Sequence, residues 1–370
     1  MKIQCLKSEL ASALQIVSKA VAVKPQTPIL SGIYLKASEG LLELQATNYE
    51  IGIIVRIVAD VEEAGEIAIS GRYFGEVVRR LPGDNVKISL NREESILHIQ
   101  SDQSNFTLVS MNPAEFPTVK ELDGDLKFTV KDNVLRSLIK KTVFACATDE
   151  GRPVFTGCSL DIQETKLTMA ATNTHRLAVK YEMFEQRIGK IKIIVPSRTL
   201  SELLHNMTSE LPTDVTVTCS YNRISFQFDH FFMTSRLIEG QFPDYNRVIP
   251  ASFDTHVRLD TAAFSGAVDR VSLISRAGEY NVIKLEFANN LLHITSNNPD
   301  IGKAEETIVA EIEGPDITIA FNAQYIIDVL KTIETKSCRI DLGQPLTPIA
   351  VREAEDESFI YIVTPVRTQH

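Results

Sequence analysis

Hydrophobic residues follow two different periods along this chain, and each period predicts one type of secondary structure. In 86–90 and 215–219 apolar residues occupy every second position, which is typical of a strand with one buried face. Elsewhere they recur at steps of three and four, the spacing of one helical face. These stretches predict six helices, at about 8–22, 72–81, 132–145, 198–209, 261–275 and 323–335. Gly71, Ser197 and Asn322 stand where the second, fourth and sixth helices begin, and we interpret them as N-caps.

The pattern occurs three times. Residues 41–48 read LLELQATN, residues 166–173 read KLTMAATN and residues 291–298 read LLHITSNN, so the motif returns after 125 residues and again after another 125. An asparagine ends each copy. A chain that repeats at a fixed period is built from similar structural units, so three units are predicted.

The repeat, together with the mixture of helices and strands, predicts the fold class. We expect an α+β protein of three similar domains in tandem, each with two helices packed on about eight antiparallel strands. Turn-like seams rich in acidic or small residues separate the copies. These seams place the domains at 1–121, 128–250 and 254–370.

The charge of the chain argues at first against a nucleic-acid partner. The formal net charge is −10 over 370 residues, and an acidic surface repels phosphate. However, counted with their flanking residues, as 7–24, 71–81, 131–145, 197–210, 260–276 and 322–336, the six helical segments together carry +6 and the remainder carries −16. If the helices share one surface, that surface attracts DNA, although helices enriched in Lys and Arg for solubility alone would give the same counts. The candidate DNA-facing residues are Lys24, Arg72, Arg79, Arg80, Arg136, Lys140, Lys141, Arg152 and Arg198.

The sequence offers no recognisable catalytic or metal-binding motif. It contains no phosphate-binding loop, no nucleophile elbow and no histidine pair at metal-ligand spacing, so no cofactor or metal is expected. His175, followed by Arg176, is the one residue that invites a general-base interpretation. No nucleophile accompanies it, which favours a binding or structural role. An enzyme and a scaffold that binds only proteins both stay open as alternatives at this point.

Cysteine usage and hydropathy indicate the compartment. The five cysteines are scattered and odd in number, which predicts free thiols in a reducing environment. Apolar runs are no longer than a strand, so no membrane span is predicted, and the first residues lack the apolar core of a signal peptide. A cytoplasmic location is therefore expected.

Several motifs, taken in order, resemble those of one protein family. They are the segments 28–30 (PIL), 172–178 (TNTHRLA), 237–245 (LIEGQFPDY), 247–250 (RVIP) and 365–367 (PVR). Over its full length the chain resembles the bacterial DNA sliding clamp, the beta subunit of DNA polymerase III holoenzyme. The resemblance implies a non-enzymatic processivity factor. Such a protein encircles double-stranded DNA without sequence preference and tethers the replicative polymerase.

The resemblance also implies a head-to-tail homodimer. Three domains from each of two chains would close a six-domain ring, with the helices facing the DNA. One side of the dimer interface comes from the first domain and the other from the third. The matching positions are Phe106 and Leu108 on one side, and Leu273 and Ile274 on the other. Alternatively, these four residues belong to the cores of their own domains.

A partner groove between the second and third domains is a further implication of the resemblance. It would receive short linear peptides from the clamp loader, polymerases and repair proteins. Apolar walls would take aliphatic or aromatic anchors, while Arg176 and Arg247 would meet polar or acidic groups. The matching positions are Phe155, Thr172, His175, Arg176, Leu177, Pro243, Arg247, Val248, Val363, Pro365, Val366 and Arg367.

The chain departs from the family in this groove. Asn173 and Thr174 replace the usual Asp-Gly pair before the histidine, and Thr364 and Val366 replace the usual methionines around the terminal proline. Because methionine adapts its shape and valine does not, a narrower or stiffer groove is predicted. Residues 368–370 extend past the usual end of the family.

Overall fold

A computed structural model describes residues 1–91, 93–149, 151–209, 211–276 and 281–367. The C-terminal extension 368–370 lies outside the described residues. The helices are α1 Lys7–Val17, α2 Gly71–Arg80, α3 Asp132–Lys140, α4 Ser197–Asn206, α5 Thr261–Ser275 and α6 Ala323–Leu330.

The strands fall into three groups that follow the repeat. The first repeat contains β1 Lys2–Leu6, β2 Gly32–Ser38, β3 Leu41–Thr47, β4 Ile51–Val58, β5 Asp60–Glu63, β6 Gly65–Ser70, β7 Asn85–Asn91, β8 Ile96–Ser101 and β9 Ser104–Met111. The second contains β10 Leu126–Lys131, β11 Gly157–Glu164, β12 Lys166–Thr172, β13 Arg176–Met183, β14 Gly189–Pro196, β15 Asp214–Cys219, β16 Arg223–Phe228 and β17 Phe231–Arg236. The third contains β18 Thr255–Asp260, β19 Val282–Ala288, β20 Leu291–Asn298, β21 Gly302–Val309, β22 Glu311–Glu313, β23 Ile317–Asn322, β24 Ser337–Leu342, β25 Ile349–Glu353 and β26 Asp356–Val363.

The predicted α+β fold is confirmed: each repeat carries two helices and eight or nine described strands, and every described strand pair is antiparallel. Several helix boundaries differ from the sequence prediction. Helix α1 ends at Val17 instead of 22 and α3 at Lys140 instead of 145, and Ser197 is the first residue of α4 and not its N-cap. Helix α6 ends at Leu330 instead of 335, where the hydroxyl of Thr332 donates to the carbonyl of Val329 and closes a turn. Gly71 is the first residue of α2 and not its N-cap, because Ser70 precedes it with extended backbone. The N-cap role of Asn322 is confirmed by its side chain, which accepts from the Gln324 N–H at 2.9 Å.

The asparagine that ends each repeated motif forms the same kind of turn in all three repeats. The Oδ1 of Asn48 accepts from the Ile51 N–H at 2.8 Å, and the Oδ1 of Asn173 accepts from the Arg176 N–H at 3.1 Å. In the third repeat, the Oδ1 of Asn298 accepts from a main-chain N–H two residues on. Asparagine suits this position because its side chain replaces a backbone acceptor in a tight turn. The repeated residue is therefore explained by the loop between two strands.

The chain forms two compact units, and the second repeat is divided between them. The first unit is 1–133 with 201–237, and the second is 134–200 with 238–370. The first unit holds a thirteen-stranded sheet in the order β10-β15-β16-β17-β4-β3-β2-β6-β9-β8-β7-β1-β5. The second holds a nine-stranded sheet, β14-β11-β12-β13-β26-β25-β24-β18-β22, and a four-stranded sheet, β21-β20-β19-β23.

Strand pairing joins consecutive repeats in one recurring way. In the first unit β4 pairs with β17, with Gly52 opposite Thr234. In the second unit β13 pairs with β26, with Leu177 opposite Ile362. Gly52 and Leu177 occupy the same position in the repeat, so the register is the same at both junctions. The fourth strand of a repeat therefore pairs with the last strand of the next one.

The core lies between helices and sheets in each unit. The helical stripes predicted from sequence are buried, as in Leu10, Leu14 and Val17 of α1, and α1 packs against α2. In the second unit α5 packs against α6 and against β20 and β21. All five cysteines are buried and carry free thiols. Within the described ranges, no helix is both long enough and apolar enough to cross a membrane.

Candidate functional site

The second unit contains an open cavity of about 610 Å³. Segments distant in sequence form its walls: the short turn before β11, the turn between β12 and β13, the irregular chain that follows β17, the loop before β25 and the end of β26. Its lining consists of Phe155, Thr172, Thr174, His175, Arg176, Leu177, Pro243, Asp244, Tyr245, Arg247, Val248, Ile249, Pro250, Thr347, Pro348, Ile362 and Thr364. We call this cavity the groove.

Hydrogen bonds hold the turn between β12 and β13 in one conformation. The hydroxyl of Thr172 donates to the carbonyl of Arg176 at 2.7 Å and accepts from the N–H of Thr174. Both the N–H and the hydroxyl of Thr364 donate to the carbonyl of His175, at 3.0 and 2.9 Å. The turn is therefore attached to the end of β26, and the rim of the groove is fixed by two segments of the chain.

Aromatic and aliphatic side chains support the wall opposite this turn. The rings of Phe242 and Tyr245 meet edge to face with centroids 6.3 Å apart, and Phe155 meets Phe242 in the same way at 6.4 Å. Burial raises the pKa of Tyr245, and the carboxylates of Asp161 and Asp244 add to the effect. Its hydroxyl therefore stays protonated and can donate at neutral pH.

Arg247 is the cation that the groove offers to a ligand. Its side chain is 84% exposed, and its Nε lies 3.1 Å from the Oδ2 of Asp244. Although desolvation acts to raise it, the pKa of Asp244 is lowered, because Arg247 and Asn246 donate hydrogen bonds to the carboxylate. An exposed pair of this kind exchanges partners at little cost, so Arg247 can turn towards an acidic ligand.

Arg176, unlike Arg247, is largely buried. Only 9% of its side chain is exposed, and its Nη1 lies 2.6 Å from the Oδ2 of Asp328. The same guanidinium donates to the carbonyl of Phe144 and lies over the ring of Tyr325, 4.6 Å from its centroid. Arg176 lines the groove as predicted, but its charge is already balanced inside the protein by Asp328, so its contact with polar or acidic ligand groups stays a prediction. It supports the floor of the groove.

Eight of the twelve predicted groove residues line this cavity. They are Phe155, Thr172, His175, Arg176, Leu177, Pro243, Arg247 and Val248. Val363 does not: it is fully buried, and as strand neighbours point to opposite faces, Ile362 and Thr364 take its place in the lining. Pro365, Val366 and Arg367 lie beyond the lining, and the N–H of Val366 donates to the carbonyl of Ala320.

The sequence interpretation missed several lining residues. Tyr245 and Ile249 stand inside the 237–250 motif, so their neighbours could have indicated them. Thr347 and Pro348 come from the loop before β25, and no sequence signal connected that loop with His175.

A catalytic role for His175 finds no support in its surroundings. Within the described part of the chain, no side chain is hydrogen-bonded to its imidazole. The hydroxyls of Thr172 and Thr364, which line the same cavity, both donate to main-chain carbonyls. A general base must reach the proton of its nucleophile, and this arrangement provides none. Among the described residues, no group of three or more His, Cys, Asp or Glu could hold a metal ion.

The predicted DNA-facing residues differ in how available their charges are. In the first unit Lys24, Arg72, Arg79 and Arg80 are exposed, and Arg80 is paired with Glu76 at 2.8 Å. In the second unit Arg152 and Arg198 are exposed, Arg136 is partly buried, and Lys140 pairs with Glu334.

Lys141 contradicts the prediction that it faces DNA. Its side chain and that of Glu353 are each only 5% exposed, and the two form an ion pair. The ammonium also lies over the ring of Phe359, 5.2 Å from the centroid. Lys141 was grouped with Lys140 on charge alone. Lys141 directly follows α3, and its N–H still donates to the carbonyl of Ser137 at 3.1 Å. The helical rotation of about 100° per residue therefore turns its side chain into the interior.

None of the four predicted interface residues is buried. Phe106 on β9 is 41% exposed and Leu273 on α5 is 59% exposed, while Leu108 and Ile274 are partly exposed. The alternative that they are ordinary core residues does not fit these positions.

Replacing Thr174 by glycine is expected to raise the free energy of unfolding by about 0.5–1 kcal/mol. Thr174 has φ +77°, a conformation that costs a branched residue but not glycine. Thermal unfolding followed by circular dichroism measures the change. The control Thr318→Gly, at an exposed strand position, should instead lower stability. A Thr174→Gly variant less stable than the parent would contradict the expectation.

Comparison with known proteins agrees with these observations. Three family models match consecutive parts of the chain: the N-terminal domain of the DNA polymerase III beta subunit at 1–120, the central domain at 129–244 and the C-terminal domain at 246–367. The beta sliding clamps of Staphylococcus epidermidis and Staphylococcus aureus are each 32% identical over 359 residues, covering 95% of both chains.

Solved structures are similar over the whole chain. The sliding clamp from Bacillus subtilis matches with a TM-score of 0.94 at 30% identity, with both chains fully covered. The sliding clamp from Pseudomonas aeruginosa bound to griselimycin matches with a TM-score of 0.93 at 32% identity, also with full coverage. Consecutive matches to all three domains, in order, identify the chain as a member of the DNA polymerase III beta subunit family, the beta sliding clamps.

Proposed function

We propose that two copies of this chain close head to tail into a ring that encircles duplex DNA and confers processivity on the replicative polymerase. The observation that carries this proposal is the strand pairing between repeats. The fourth strand of the first and second repeats is paired with the last strand of the next repeat. In the third repeat the corresponding strand, β21, is an edge of its sheet.

The matching open strand is β9, the last strand of the first repeat. It pairs with β8 along its length, but with β6 only through Ser110 and Met111, which leaves 104–109 open on one side. Unpaired strand edges are sites where another chain adds. Pairing of β21 with β9 of a second copy would continue the pattern and join the third repeat to the first.

The four interface residues support the same assembly. Phe106 and Leu108 lie on β9, and Leu273 and Ile274 lie on α5, which packs on β21. Exposed apolar side chains beside two open strand edges are what an interface between copies requires.

Sequence-independent contact with DNA is assigned to Lys24, Arg72, Arg79, Arg80, Arg136, Lys140, Arg152 and Arg198. Phosphate contacts of this kind position a protein without reading bases, and few of them let it move along the duplex. The protein is proposed to have no catalytic activity, no cofactor and a cytoplasmic location. The three clamp domains are proposed at 1–121, 128–250 and 254–370.

Partners are proposed to bind through short linear peptides in the groove. These partners are the clamp loader, the replicative polymerase and repair proteins. An apolar anchor would meet Leu177, Tyr245, Val248 and Ile362, and Arg247 would meet an acidic group. Thr364, bonded twice to His175, supports the hypothesis of a stiffer groove, because a methionine there could not form the side-chain bond.

Replacing Val248 by aspartate is expected to weaken binding of a hexapeptide with leucine and phenylalanine anchors by about tenfold or more. Val248 is 53% exposed on the groove wall, and a carboxylate there would be desolvated against an apolar anchor. Isothermal titration calorimetry measures the affinity. Val58→Asp, which changes a valine of the first unit that is 66% exposed, serves as control and should bind like the parent. Equal loss in both variants would remove the groove as the peptide site.

Retention on DNA tests the ring itself. The protein is loaded onto a nicked circular plasmid with a cognate clamp loader and ATP, and the plasmid is then cut once. Protein that leaves only after cutting is held by topology. Protein that remains equally on linear DNA is held by ordinary contacts, and the ring would have to be abandoned.

A further inference from the structure

The first unit contains a cavity at the place that corresponds to the groove. Its volume is about 300 Å³. Thr47 and Gly52 line it, 125 residues before Thr172 and Leu177, which line the groove. The two cavities therefore occupy equivalent positions, one where the first and second repeats join and the other where the second and third repeats join.

Two apolar residues of the groove have small or polar counterparts in this cavity. Gly52 takes the place of Leu177, and by the shared register Thr234 takes the place of Ile362. Val119 fills the space above the glycine: a side chain at Gly52 would meet its Cγ2 at 2.9 Å. An apolar peptide anchor consequently has no room in this cavity.

The segment that carries Val119 is fixed in position. The N–H of Val119 donates to the Oε1 of the buried Gln45 at 2.9 Å. The Nε2 of Gln45 in turn donates to the Oε1 of Glu43 at 2.7 Å. Val119 thus occupies one side of the cavity. Polar groups on its other sides include those of Tyr49, Thr118 and Arg223.

Arg223 is a partly buried cation that has no carboxylate partner in the described part of the chain. Its Nε donates to the Oγ1 of Thr234 at 3.4 Å, and Glu121, which also lines the cavity, forms no ion pair with it. Arg236, opposite Arg223 in the strand register, is likewise without an ion pair among the described residues. Four other partly buried arginines have a carboxylate partner: Arg56, Arg176, Arg339 and Arg352.

This unpaired charge makes the cavity attractive to an anion. Burial lowers the pKa of Arg223, and the nearby Arg236 lowers it further. An arginine nevertheless stays charged, so the charged form is held in unfavourable surroundings. A carboxylate would relieve this by accepting two parallel hydrogen bonds from the guanidinium.

We propose that this cavity is a second peptide-binding site, in which Arg223 receives the carboxylate of an Asp or Glu side chain from an acidic linear segment of a partner protein. A peptide suits it better than DNA does. A single side chain can enter a cavity of about 300 Å³ and reach the partly buried arginine, whereas the phosphates of a duplex stay on its outer surface. The site is independent of peptide binding in the groove.

Two capped tetrapeptides test the proposal, acetyl-Ala-Glu-Glu-Ala-amide and its Gln-Gln counterpart. Saturation-transfer NMR on the full-length protein measures their binding. The glutamate peptide should bind and the glutamine peptide should not. Arg223→Gln should weaken the glutamate peptide by about tenfold or more. Arg258→Gln serves as the control, because Arg258 is exposed and also lacks a carboxylate partner among the described residues.

Further variants and competing ligands distinguish binding at Arg223 from binding elsewhere on the protein. Arg223→Lys keeps the charge without the forked donor geometry and should keep part of the affinity. Equal binding of both peptides, or undiminished binding to Arg223→Gln, overturns the proposal. So does displacement by an apolar peptide that fills the groove. Displacement by inorganic phosphate at equal concentration would mark a general anion site and would also overturn it.

Discussion

Lys141→Met is expected to lower the free energy of unfolding by about 3–5 kcal/mol. Lys141 and Glu353 are buried together, and removal of the lysine leaves a carboxylate in the interior without its counter-charge. The Oε1 of Glu353 also accepts from the Glu334 N–H at 2.8 Å, so the carboxylate cannot move to water without breaking that bond. Urea unfolding followed by far-ultraviolet circular dichroism measures the loss, since the chain has no tryptophan.

The neighbouring lysine provides a matched control. Lys140 also pairs with a glutamate, but both side chains are largely exposed, so Lys140→Met should cost less than about 1 kcal/mol. The double variant Lys141→Met with Glu353→Gln should recover much of the loss, because a glutamine still accepts from the Glu334 N–H without carrying a charge. Equal stability of the two single variants would mean that burial does not govern this pair.

Leu273→Asp is expected to separate the proposed dimer and shorten retention on circular DNA. Truncation of a central interface residue costs about 2–4 kcal/mol, roughly thirty- to a thousandfold in the dissociation constant. Leu273 is exposed on α5, which packs on the open strand β21. In the proposed dimer, a charge at this position would face the apolar side chains on β9 of the second copy. Analytical ultracentrifugation measures the dimer, and plasmid retention measures its consequence.

The control for this experiment is Leu211→Asp, which changes a leucine that is 78% exposed in the first unit. It should remain dimeric and should be retained like the parent. If Leu273→Asp also stays dimeric at low concentration, α5 does not contribute to the interface. If it becomes monomeric but is still retained on circular DNA, the ring is not what holds the protein there.

The local features of the fold were accessible from sequence because they depend on neighbouring residues. The spacing of Leu10, Leu14 and Val17 predicted the buried face of α1, and that face is buried. The asparagine at the end of each repeated motif marked equivalent positions in the three copies, and its side chain forms the same kind of turn in each. Helix ends were less accessible, since α6 ends through a hydroxyl contact of Thr332 that periodicity does not reveal.

Part of the groove could be identified in the same way. The motifs around His175 and Pro243 were recognised, and the residues in them do line the cavity. Thr347 and Pro348 were not found, because they reach the groove only through the pairing of β25 with β26 and of β26 with β13. Val363 was assigned to the wrong face of β26. Neighbouring residues of a strand point to opposite faces, so an error of one position places a core residue in the groove.

Sequence alone determined the three repeats, the helical faces, the position of the turn motifs and the family. Tertiary structure alone decided which charges are available to a ligand. Arg176 and Lys141 looked like free cations, but Asp328 lies 152 residues from Arg176 and Glu353 lies 212 residues from Lys141. Arg223, by contrast, has no carboxylate partner among the residues that the structure describes. Ion pairs are set by which strands and helices meet, and periodicity within one segment carries no information about residues so far away.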